Sequence, residues 1–295
     1  MKHALVFGGS GQIGRPLLGR LLRDGWRVTA VSRQPQHERL GLTWLRGDFE
    51  QMPALPDQVE VMFSCGPLDA FARWYAGSRV DCPRVVAFGS TSIEVKRGSA
   101  DPHERQLVQR LREGEEGVLA AAAARAADAT LLRPTLVYGA GRDATLTRIA
   151  RLAREWGRFP LPRGARGLRQ PVHVEDLASA AFYAIGSGAS HGRAYALPGG
   201  ETLTYRDMVL RVLQTLDPVP TLVELPSPLF NLALAMARLT GRGTGLGEAA
   251  VQRMRSDLVF DPAPAQRDLH YAPRGFAPTA QMFEVRDEDG ENGQE

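Results

Sequence analysis

The segment ALVFGGSGQIGRPLLGRLL, residues 4–22, determines the fold that we expect for this chain. It begins with an apolar run and continues with Gly9, Gly11 and Gly14, which have the spacing G-x-G-x-x-G. Gly8, Gly11 and Gly14 also have the spacing G-x-x-G-x-x-G. Apolar residues at helical spacing follow the glycines. The segment therefore predicts a strand, a tight glycine turn and an amphipathic helix.

A glycine turn between a strand and a helix is typical of dinucleotide-binding sites. One glycine allows the tight turn, a second leaves room for the pyrophosphate, and a third allows close packing of helix and strand. The helix N-terminus adds backbone N–H donors and the positive end of the helix dipole. We therefore predict cofactor binding by the residues of this turn, which are Gly8, Gly9, Ser10, Gly11, Gln12, Ile13 and Gly14.

The end of the second predicted strand, RVTAVS at residues 27–32, indicates which dinucleotide binds. NAD-selective sites have an Asp or Glu there, which hydrogen-bonds the ribose 2′-hydroxyl. This chain has Ser32 and Arg33 instead, and no acidic residue before Glu38. An arginine pairs with a 2′-phosphate and stacks on adenine, and Ser32 can add a hydrogen bond. We therefore predict NADP(H) as the cofactor rather than NAD(H).

Short apolar runs alternate with helical patterns through the first half of the chain, as in a parallel sheet covered on both faces. Strands are predicted at residues 3–8, 27–32, 42–47, 59–64, 84–90 and 129–134. Helices are predicted at residues 12–23, 67–77 and 104–127. The predicted fold class is α/β: a Rossmann-type doubly wound parallel sheet with a small, mostly helical C-terminal subdomain for the substrate.

The predicted domain organisation is one compact unit over residues 1–283, followed by an acidic disordered tail at residues 284–295. The nucleotide-binding core is expected at about residues 1–165, and the substrate-side elements at about residues 140–170 and 195–283. The last twelve residues carry six acids and one arginine, so the net charge of +3 leaves about +8 on the rest of the chain. Such an acidic end is typical of a solubilising tail.

Composition argues against several classes of protein. The arginines are dispersed rather than clustered among aromatic residues, so we expect an anionic or sugar-like small molecule as partner and no nucleic acid. No apolar run approaches the roughly 18–20 residues of a membrane span, and no signal-peptide pattern precedes the first strand. Cys65 and Cys82 have neither metal-ligand nor redox spacing, so we expect no metal and a cytoplasmic location.

Five segments together resemble the extended short-chain dehydrogenase/reductases, which include the nucleotide-sugar epimerases and dehydratases. In chain order they are GGSGQIG, RGDFEQ, FGSTS, LLRPTLVYGAGRD and QPVHVEDLA. The resemblance covers about residues 3–215. The cofactor contacts that it implies are Asp48 and Phe49 at the adenine, Ser64, Cys65 and Gly66 at the nicotinamide ribose, and Pro134 at the nicotinamide.

The resemblance also implies catalytic and substrate-binding positions. Thr91 takes the place of the family's catalytic hydroxyl residue, although Ser90 or Ser92 could be the aligned hydroxyl. Ser92 is expected to contact the substrate, and Arg169 to bind a substrate diphosphate. Pairing of two long helices, as in many members of the family, makes a homodimer possible.

The family's central pair, Tyr-x-x-x-Lys, is missing from the helix predicted at residues 104–127, which contains neither tyrosine nor lysine. If Glu116 marks the family's common glutamate, Val108 and Arg112 take the two positions. A shift by one residue gives Leu107 and Leu111 instead. The chain therefore resembles the atypical branch of the family, which keeps the nucleotide site and loses the standard pair.

Two functions are consistent with this pattern. The first is an NADP(H)-dependent oxidoreductase or epimerase that acts by hydride transfer on a sugar or nucleotide-sugar-like substrate. Tyr138 is then the predicted substitute acid/base, with Tyr75 and His103 as alternatives. The second is a non-catalytic NADP(H)-binding regulatory or accessory protein. A titratable group beside Thr91 and the nicotinamide favours the first, and an apolar neighbourhood favours the second.

Overall fold

The apolar runs of the sequence form strands in the computed structural model of this chain, which describes residues 2–239 and 248–284. In chain order the strands are β1 (His3–Phe7), β2 (Arg27–Ser32), β3 (Leu42–Arg46), β4 (Val61–Ser64), β5 (Arg84–Phe88), β6 (Asp128–Pro134), β7 (Val137–Tyr138), β8 (Arg158–Pro162), β9 (Leu168–Arg169), β10 (Val172–His173), β11 (Arg193–Leu197), β12 (Leu203–Thr204) and β13 (Thr221–Leu225). The helices are α1 (Gly14–Arg23), α2 (Leu68–Gly77), α3 (Ser92–Val95), α4 (Pro102–Ala123), α5 (Leu146–Trp156), α6 (Val174–Ala184), α7 (Tyr205–Gln214), α8 (Ser227–Leu239), α9 (Glu248–Arg253) and α10 (Ala263–Leu269). The chain divides into two compact units, each built from several segments.

The first unit comprises residues 2–135, Val174–Pro198 and Phe260–Pro273. Its sheet has seven parallel strands in the order β3-β2-β1-β4-β5-β6-β11. Helices α2 and α4 pack together, as do α1 and α6. This is the Rossmann-type doubly wound sheet that the sequence predicts. Ligands bind such sheets at the carboxyl ends of the strands where the strand order reverses, which is between β1 and β4 here.

The core of the first unit explains why its strands read as continuous apolar runs. Leu5, Met62 and Leu131, from three different strands, are at most 1% exposed. They belong to one cluster with Phe71 of α2 and Val118 of α4. Because helices cover the sheet, these strands do not alternate between apolar and polar residues.

Helix α4 begins and ends earlier than the alanine-rich sequence predicts. Asp101 caps its N-terminus by accepting a hydrogen bond from the backbone N–H of His103 at 2.9 Å, and Pro102 takes the first position. The helix ends at Ala123, and Ala126 then adopts a φ of 52° before the chain enters β6. Pairing of two copies through this helix stays a prediction.

The second unit comprises residues Leu136–His173, Gly199–Val259 and 274–284. It contains α5, α7, α8 and α9, and its six short strands form three pairs: β7 with β10, β8 with β13, and β9 with β12. The helices agree with the predicted helical subdomain, but the sequence does not predict the strand pairs. The single-unit organisation over residues 1–283 stays a prediction. Of the predicted acidic tail only Glu284 lies within the described residues.

Candidate nucleotide-binding site

The glycine turn between β1 and α1 accepts no side chain at two of its positions. Gly8 has a φ of 74°, and a Cβ atom there would lie 2.9 Å from the carbonyl carbon of Cys65. A Cβ atom on Gly14 would lie only 2.2 Å from the carbonyl oxygen of Gly8. The turn is closed by a hydrogen bond of 3.0 Å from the Gly11 N–H to the Gly8 carbonyl. The turn predicted from residues 8–14 therefore forms, and its packing requires glycine.

Helix α1 starts at this turn, and no capping side chain at its N-terminus is found among the described residues. The N-cap residue is Ile13, whose side chain forms no capping hydrogen bond, and the first turn has no acidic residue. The first backbone N–H groups of a helix have no partner within the helix and favour an anion. The geometry therefore fits the pyrophosphate of a dinucleotide at this position.

Two buried polar atoms at this edge of the sheet have no hydrogen-bond partner among the described residues. They are Oε1 of Gln12, within the glycine turn, and Oγ of Ser64, at the carboxyl end of β4. Ser64 is paired in register with Phe7, the last residue of β1. A buried polar atom without a partner costs about 1–3 kcal/mol, so such atoms are expected where a ligand or water completes the site. Both lie at positions that the sequence assigns to cofactor binding.

The end of β2 has the chemistry that we predict for a 2′-phosphate. Ser32 is buried, and its Oγ lies 3.3 Å from Oγ of Ser10 in the glycine turn. The same Oγ accepts a hydrogen bond from the backbone N–H of Gln34 at 3.3 Å. The side chain of Arg33 is exposed. The first unit thus holds Ser32 beside the glycine turn and leaves the Arg33 guanidinium accessible.

The predicted adenine contacts, Asp48 and Phe49, also have structural roles. One carboxylate oxygen of Asp48 accepts hydrogen bonds from the backbone N–H groups of Glu50 and Gln51, at 2.9 and 2.8 Å. These bonds, that to Gln51 foremost, lower the pKa of Asp48. The ring of Phe49 packs 5.3 Å from that of Phe7. Both residues shape the loop after β3, and their adenine contacts stay predictions.

The predicted nicotinamide side is formed by the ends of β4, β5 and β6. Desolvation raises the pKa of the Cys65 thiol to about 12, so this thiol stays neutral. A Cβ atom added to Gly66 would meet no atom within 4 Å. The carbonyl of Pro134 accepts hydrogen bonds from the Thr91 backbone N–H at 3.2 Å and from its hydroxyl at 3.1 Å. The hydroxyl proton of Thr91 is therefore engaged internally, whereas its oxygen can still accept a hydrogen bond.

The structure also bears on the register of the missing pair on α4. Glu115, not Glu116, is the buried glutamate of this helix. Its two carboxylate oxygens accept hydrogen bonds from Nε and Nη2 of Arg133, at 2.8 and 2.5 Å, and this bonding raises the pKa of Arg133. Taking Glu115 as the structural glutamate places Leu107 and Leu111 at the pair's positions. Arg112, the residue given by the other register, is exposed.

The predicted substitute acid/base residues differ in their surroundings. Tyr138 is 1% exposed, and its ring contacts those of His173 and Phe276, at 5.1 and 4.9 Å, in the core of the second unit. Tyr75 is fully buried in the core of the first unit, where burial raises its pKa. His103 is exposed at the start of α4. Catalysis by Tyr138 stays a prediction, and the structure gives its ring a packing role.

Arg169 has an internal role in the second unit. Its Nη1 donates hydrogen bonds to the carbonyls of Leu168 at 2.6 Å and Ser256 at 2.8 Å, and its Nη2 donates to the carbonyl of Arg253. The guanidinium lies 5.3 Å from the centre of the Tyr205 ring. It is 5% exposed, and burial lowers its pKa. The substrate-diphosphate contact stays a prediction, and it would require Arg169 to give up some of these bonds.

Two properties hold for the described residues, 2–239 and 248–284. No helix there is long and apolar enough to cross a membrane. Over the same residues, no group of three or more His, Cys, Asp and Glu side chains is placed to hold a metal ion.

The fold and the glycine turn define the class of the protein: an NAD(P)-binding Rossmann-type protein of the short-chain dehydrogenase/reductase kind. The model of the NAD dependent epimerase/dehydratase family matches residues 4–62 and 112–197. This match confirms the resemblance to the family. The unmatched stretch between the two matches contains Thr91, Leu107 and Leu111. The family pattern is therefore weakest where the central pair is missing.

Curated relatives and solved structures agree with this assignment. The 2-alkyl-3-oxoalkanoate reductase of Stenotrophomonas maltophilia is 26% identical in an alignment of length 315, which covers 92% of this chain and 94% of the relative. The UDP-glucose 4-epimerase of Vibrio cholerae is 26% identical but covers 58% of this chain and 51% of its own length. The epimerase Mth375 of Methanothermobacter thermautotrophicus shares the fold at a TM-score of 0.70, with 16% identity over 98% of this chain and 93% of that one. MoeE5, in complex with UDP-glucose and NAD, has a TM-score of 0.70 and 20% identity over 97% and 99% of the two chains.

Proposed function

We propose that this chain is an NADP(H)-dependent oxidoreductase that catalyses hydride transfer to or from a carbonyl or carbinol carbon of a sugar-like or similar small molecule. The observation that supports NADP(H) as the cofactor is the exposed Arg33 directly after Ser32, where an NAD-selective site has an acidic residue. Ser32 lies beside the glycine turn and offers a hydroxyl to the same phosphate. NADP(H) therefore fits this site better than NAD(H).

Each part of the cofactor has a matching part of the first unit. The pyrophosphate fits the glycine turn and the N-terminus of α1, and the 2′-phosphate fits Ser32 and Arg33. The nicotinamide ribose fits the residues after β4, where the Ser64 hydroxyl has no partner among the described residues. When bound, NADPH supplies the hydride, and the protein supplies position and electrostatics. Thr91 fixes the loop after β5 against β6 through the Pro134 carbonyl.

Two observations favour a carbonyl substrate without a nucleotide over a nucleotide sugar. The guanidinium of Arg169, which the family resemblance assigns to a diphosphate, is buried and bonded to three backbone carbonyls. One curated relative that matches nearly the whole chain is a reductase of 2-alkyl-3-oxoalkanoates, whereas the UDP-glucose epimerase matches over about half of its length. We therefore place reduction of a carbonyl group ahead of epimerisation.

A second function is favoured by one observation, the absence of the central pair. Leu107 and Leu111 take the positions of the tyrosine and lysine, and an aliphatic side chain can neither donate a proton nor hold a ribose by hydrogen bonds. An NADP(H)-binding regulatory or accessory protein would have no need of either group. The two functions share the cofactor site and differ in whether hydride leaves the nicotinamide.

The experiment that separates the two functions follows the hydride itself. Purified protein is incubated with NADPH deuterated at C4 and a panel of 3-oxoacids, their esters, aldehydes and keto-sugars. The proposed oxidoreductase transfers deuterium to the carbinol carbon of a product, detected by mass spectrometry. Tight NADPH binding without deuterium transfer to any carbonyl would instead support the binding protein.

A further inference from the structure

Lysine is almost absent from this chain. Of its 36 basic residues, only Lys2 and Lys96 are lysines. The side chain of Lys2 is 65% exposed, whereas that of Lys96 is 24% exposed. Of these two basic side chains, arginine keeps its positive charge permanently, whereas a lysine ammonium can release a proton. A partly buried lysine in a chain that otherwise uses arginine points to a position where proton release matters.

Lys96 lies directly after the predicted catalytic loop. Helix α3 follows Thr91, and the Lys96 backbone N–H donates a hydrogen bond of 3.0 Å to the carbonyl of Ser92. Residues four apart in a helical turn share a face, so Lys96 and Ser92 lie on one side of this turn. Thr91 holds the turn at the carboxyl ends of β5 and β6 through the Pro134 carbonyl. Lys96 is thus at the edge of the sheet where ligands of this fold bind.

A carboxylate from α4 holds the Lys96 ammonium. Nζ of Lys96 lies 3.4 Å from Oε1 of Glu104, whose side chain is 12% exposed. The other carboxylate oxygen of Glu104 accepts a hydrogen bond of 2.7 Å from the Ser99 hydroxyl. Both side chains are largely shielded from water, so this pair is better fixed than a surface ion pair.

The position of Glu104 on α4 links the Lys96–Glu104 ion pair to the position of the missing tyrosine. Glu104, Leu107, Leu111 and Glu115 are spaced three and four residues apart, so they share one face of α4. Three residues of helix rise by about 4.5 Å, which places Glu104 one turn from the tyrosine position at Leu107. The Lys96 ammonium is therefore held by a residue one helical turn before the position assigned to the family's tyrosine.

We propose that Lys96 is the proton donor of the hydride transfer and that Glu104 is its positioning residue; this rests on the proposed oxidoreductase function. As the carbonyl carbon accepts a hydride, the π electron pair moves to the carbonyl oxygen, which takes a proton from Nζ of Lys96. The neutral amine left behind regains a proton from water.

Three variants test the role of Lys96 in the reaction. Lys96→Met keeps the length of the side chain and removes the proton, and Lys96→Arg keeps the charge beside Glu104 but cannot release a proton. Lys2→Arg is the matched control. We expect kcat to fall about 10²–10⁴-fold in both Lys96 variants, the usual contribution of general acid catalysis, with the NADPH Kd changed less than about threefold. A merely structural charge would leave Lys96→Arg near wild-type kcat, which would overturn the proposal.

A second readout is independent of turnover. Trinitrobenzenesulfonate is reacted with the wild-type protein with and without saturating NADP⁺, and mass spectrometry follows Lys2 and Lys96 separately. We expect NADP⁺ to slow modification of Lys96 at least fivefold and to leave Lys2 unchanged. An unchanged rate at Lys96 would place it away from the cofactor and overturn the proposal.

The two proposals fail in different ways. If the wild-type protein binds NADP(H) but transfers no hydride, the oxidoreductase function and the role of Lys96 both fall. If the wild-type protein transfers hydride and Lys96→Arg does so at the same rate, the oxidoreductase function stands and only the role of Lys96 falls.

Discussion

At the residue scale, the glycine turn depends on the absence of single methyl groups. A Cβ atom on Gly14 would overlap the Gly8 carbonyl oxygen, and both atoms are fixed by the backbone of the turn. Gly19, five residues further along α1, has only the flexible side chain of Arg23 near its Cβ direction, at 3.5 Å. The two glycines therefore offer a matched comparison within one helix.

We expect Gly14→Ala to destabilise the protein by about 1–3 kcal/mol, the usual cost of overpacking, and to weaken NADPH binding. Gly19→Ala is expected to stabilise it by as much as about 1 kcal/mol, since alanine is the better helix former. Urea unfolding and NADPH titration of both variants check this. A Gly14→Ala protein as stable as the wild type would contradict the close packing of the turn.

The geometry of the glycine turn could be predicted because it depends on local spacing. The glycine spacing indicates the turn, and Ser32 and Arg33 indicate which dinucleotide fits, all within the first 33 residues of the chain. The partners of Arg169 could not be predicted, because Arg253 and Ser256 lie more than eighty positions away in the chain. The Lys96–Glu104 pair could have been suspected from the rarity of lysine, but its geometry depends on how α3 meets α4.

At the element scale, α4 is fixed to the sheet by one buried ion pair. Glu115 bonds to Arg133 of β6, and Arg133 also donates to Glu94 of α3 at 3.0 Å. The same arginine therefore joins α3, α4 and β6 behind the predicted catalytic loop. Glu116, the next residue along α4, is exposed.

We expect Glu115→Gln to lower the free energy of unfolding by about 1.5–3 kcal/mol, the usual contribution of a hydrogen bond to a charged group, because Arg133 then keeps only the exposed Glu94 as a partner charge. The matched control, Glu116→Gln, is expected to change it by no more than about 0.5 kcal/mol. Chemical unfolding of the two variants measures both values. Equal effects would contradict the register of α4 and the placement of Leu107 and Leu111.

The pairing of β1 with β2 makes stability depend on pH. Nδ1 of buried His3 accepts a hydrogen bond from Arg27 at 2.9 Å, so its Nε2 carries the proton and donates to Thr29 at 2.9 Å. Burial, then the Arg27 charge, lower the pKa of His3 below 6.5, while the Glu60 charge opposes this. Above pH 6.5 the His3 side chain is neutral in both the folded and the unfolded state. Below it the unfolded state takes a proton that the folded state resists, so stability falls as the pH falls.

We therefore expect the loss of melting temperature between pH 7.5 and pH 5 to be smaller in His3→Gln than in the wild type. Thermal unfolding of both proteins across this range measures the difference. Identical pH profiles would show that His3 does not titrate as its contacts require.

Elements of the first unit could be predicted better than those of the second. Strands buried on both faces give continuous apolar runs, whereas β7, β9, β10 and β12 have two residues each, too few for any period to show. The sequence does not predict strand β11, RAYAL, because two alanines weaken its apolar signal. It predicts too late an end for α4 because alanine propensity does not register the turn at Ala126.

At the scale of the whole molecule, the two units are interleaved in sequence. The chain passes from one unit to the other after residues 135, 173, 198, 259 and 273. Neither unit is therefore a continuous piece of chain that could be separated by one cut. The sequence could not predict this, because the contacts that define each unit join distant segments.

We expect this interleaved chain to unfold in one thermal transition, with equal calorimetric and van't Hoff enthalpies. NADPH at about 100 times its Kd should stabilise the folded chain by about 2.7 kcal/mol and raise the midpoint without splitting the transition. Differential scanning calorimetry with and without NADPH measures this. Two resolved transitions would contradict a single cooperative unit over residues 1–283.

The measurement that tests the central claim most directly is calorimetric titration of NADPH and NADH into the wild type and Arg33→Asp. Arg110→Asp makes the same charge change on an exposed position of α4 and serves as the control. We predict that the wild type binds NADPH at least about tenfold more tightly, or about 1.4 kcal/mol. Arg33→Asp should reverse the preference, and Arg110→Asp should keep it. Equal binding of the two cofactors by the wild type, or no binding of either, would contradict the account.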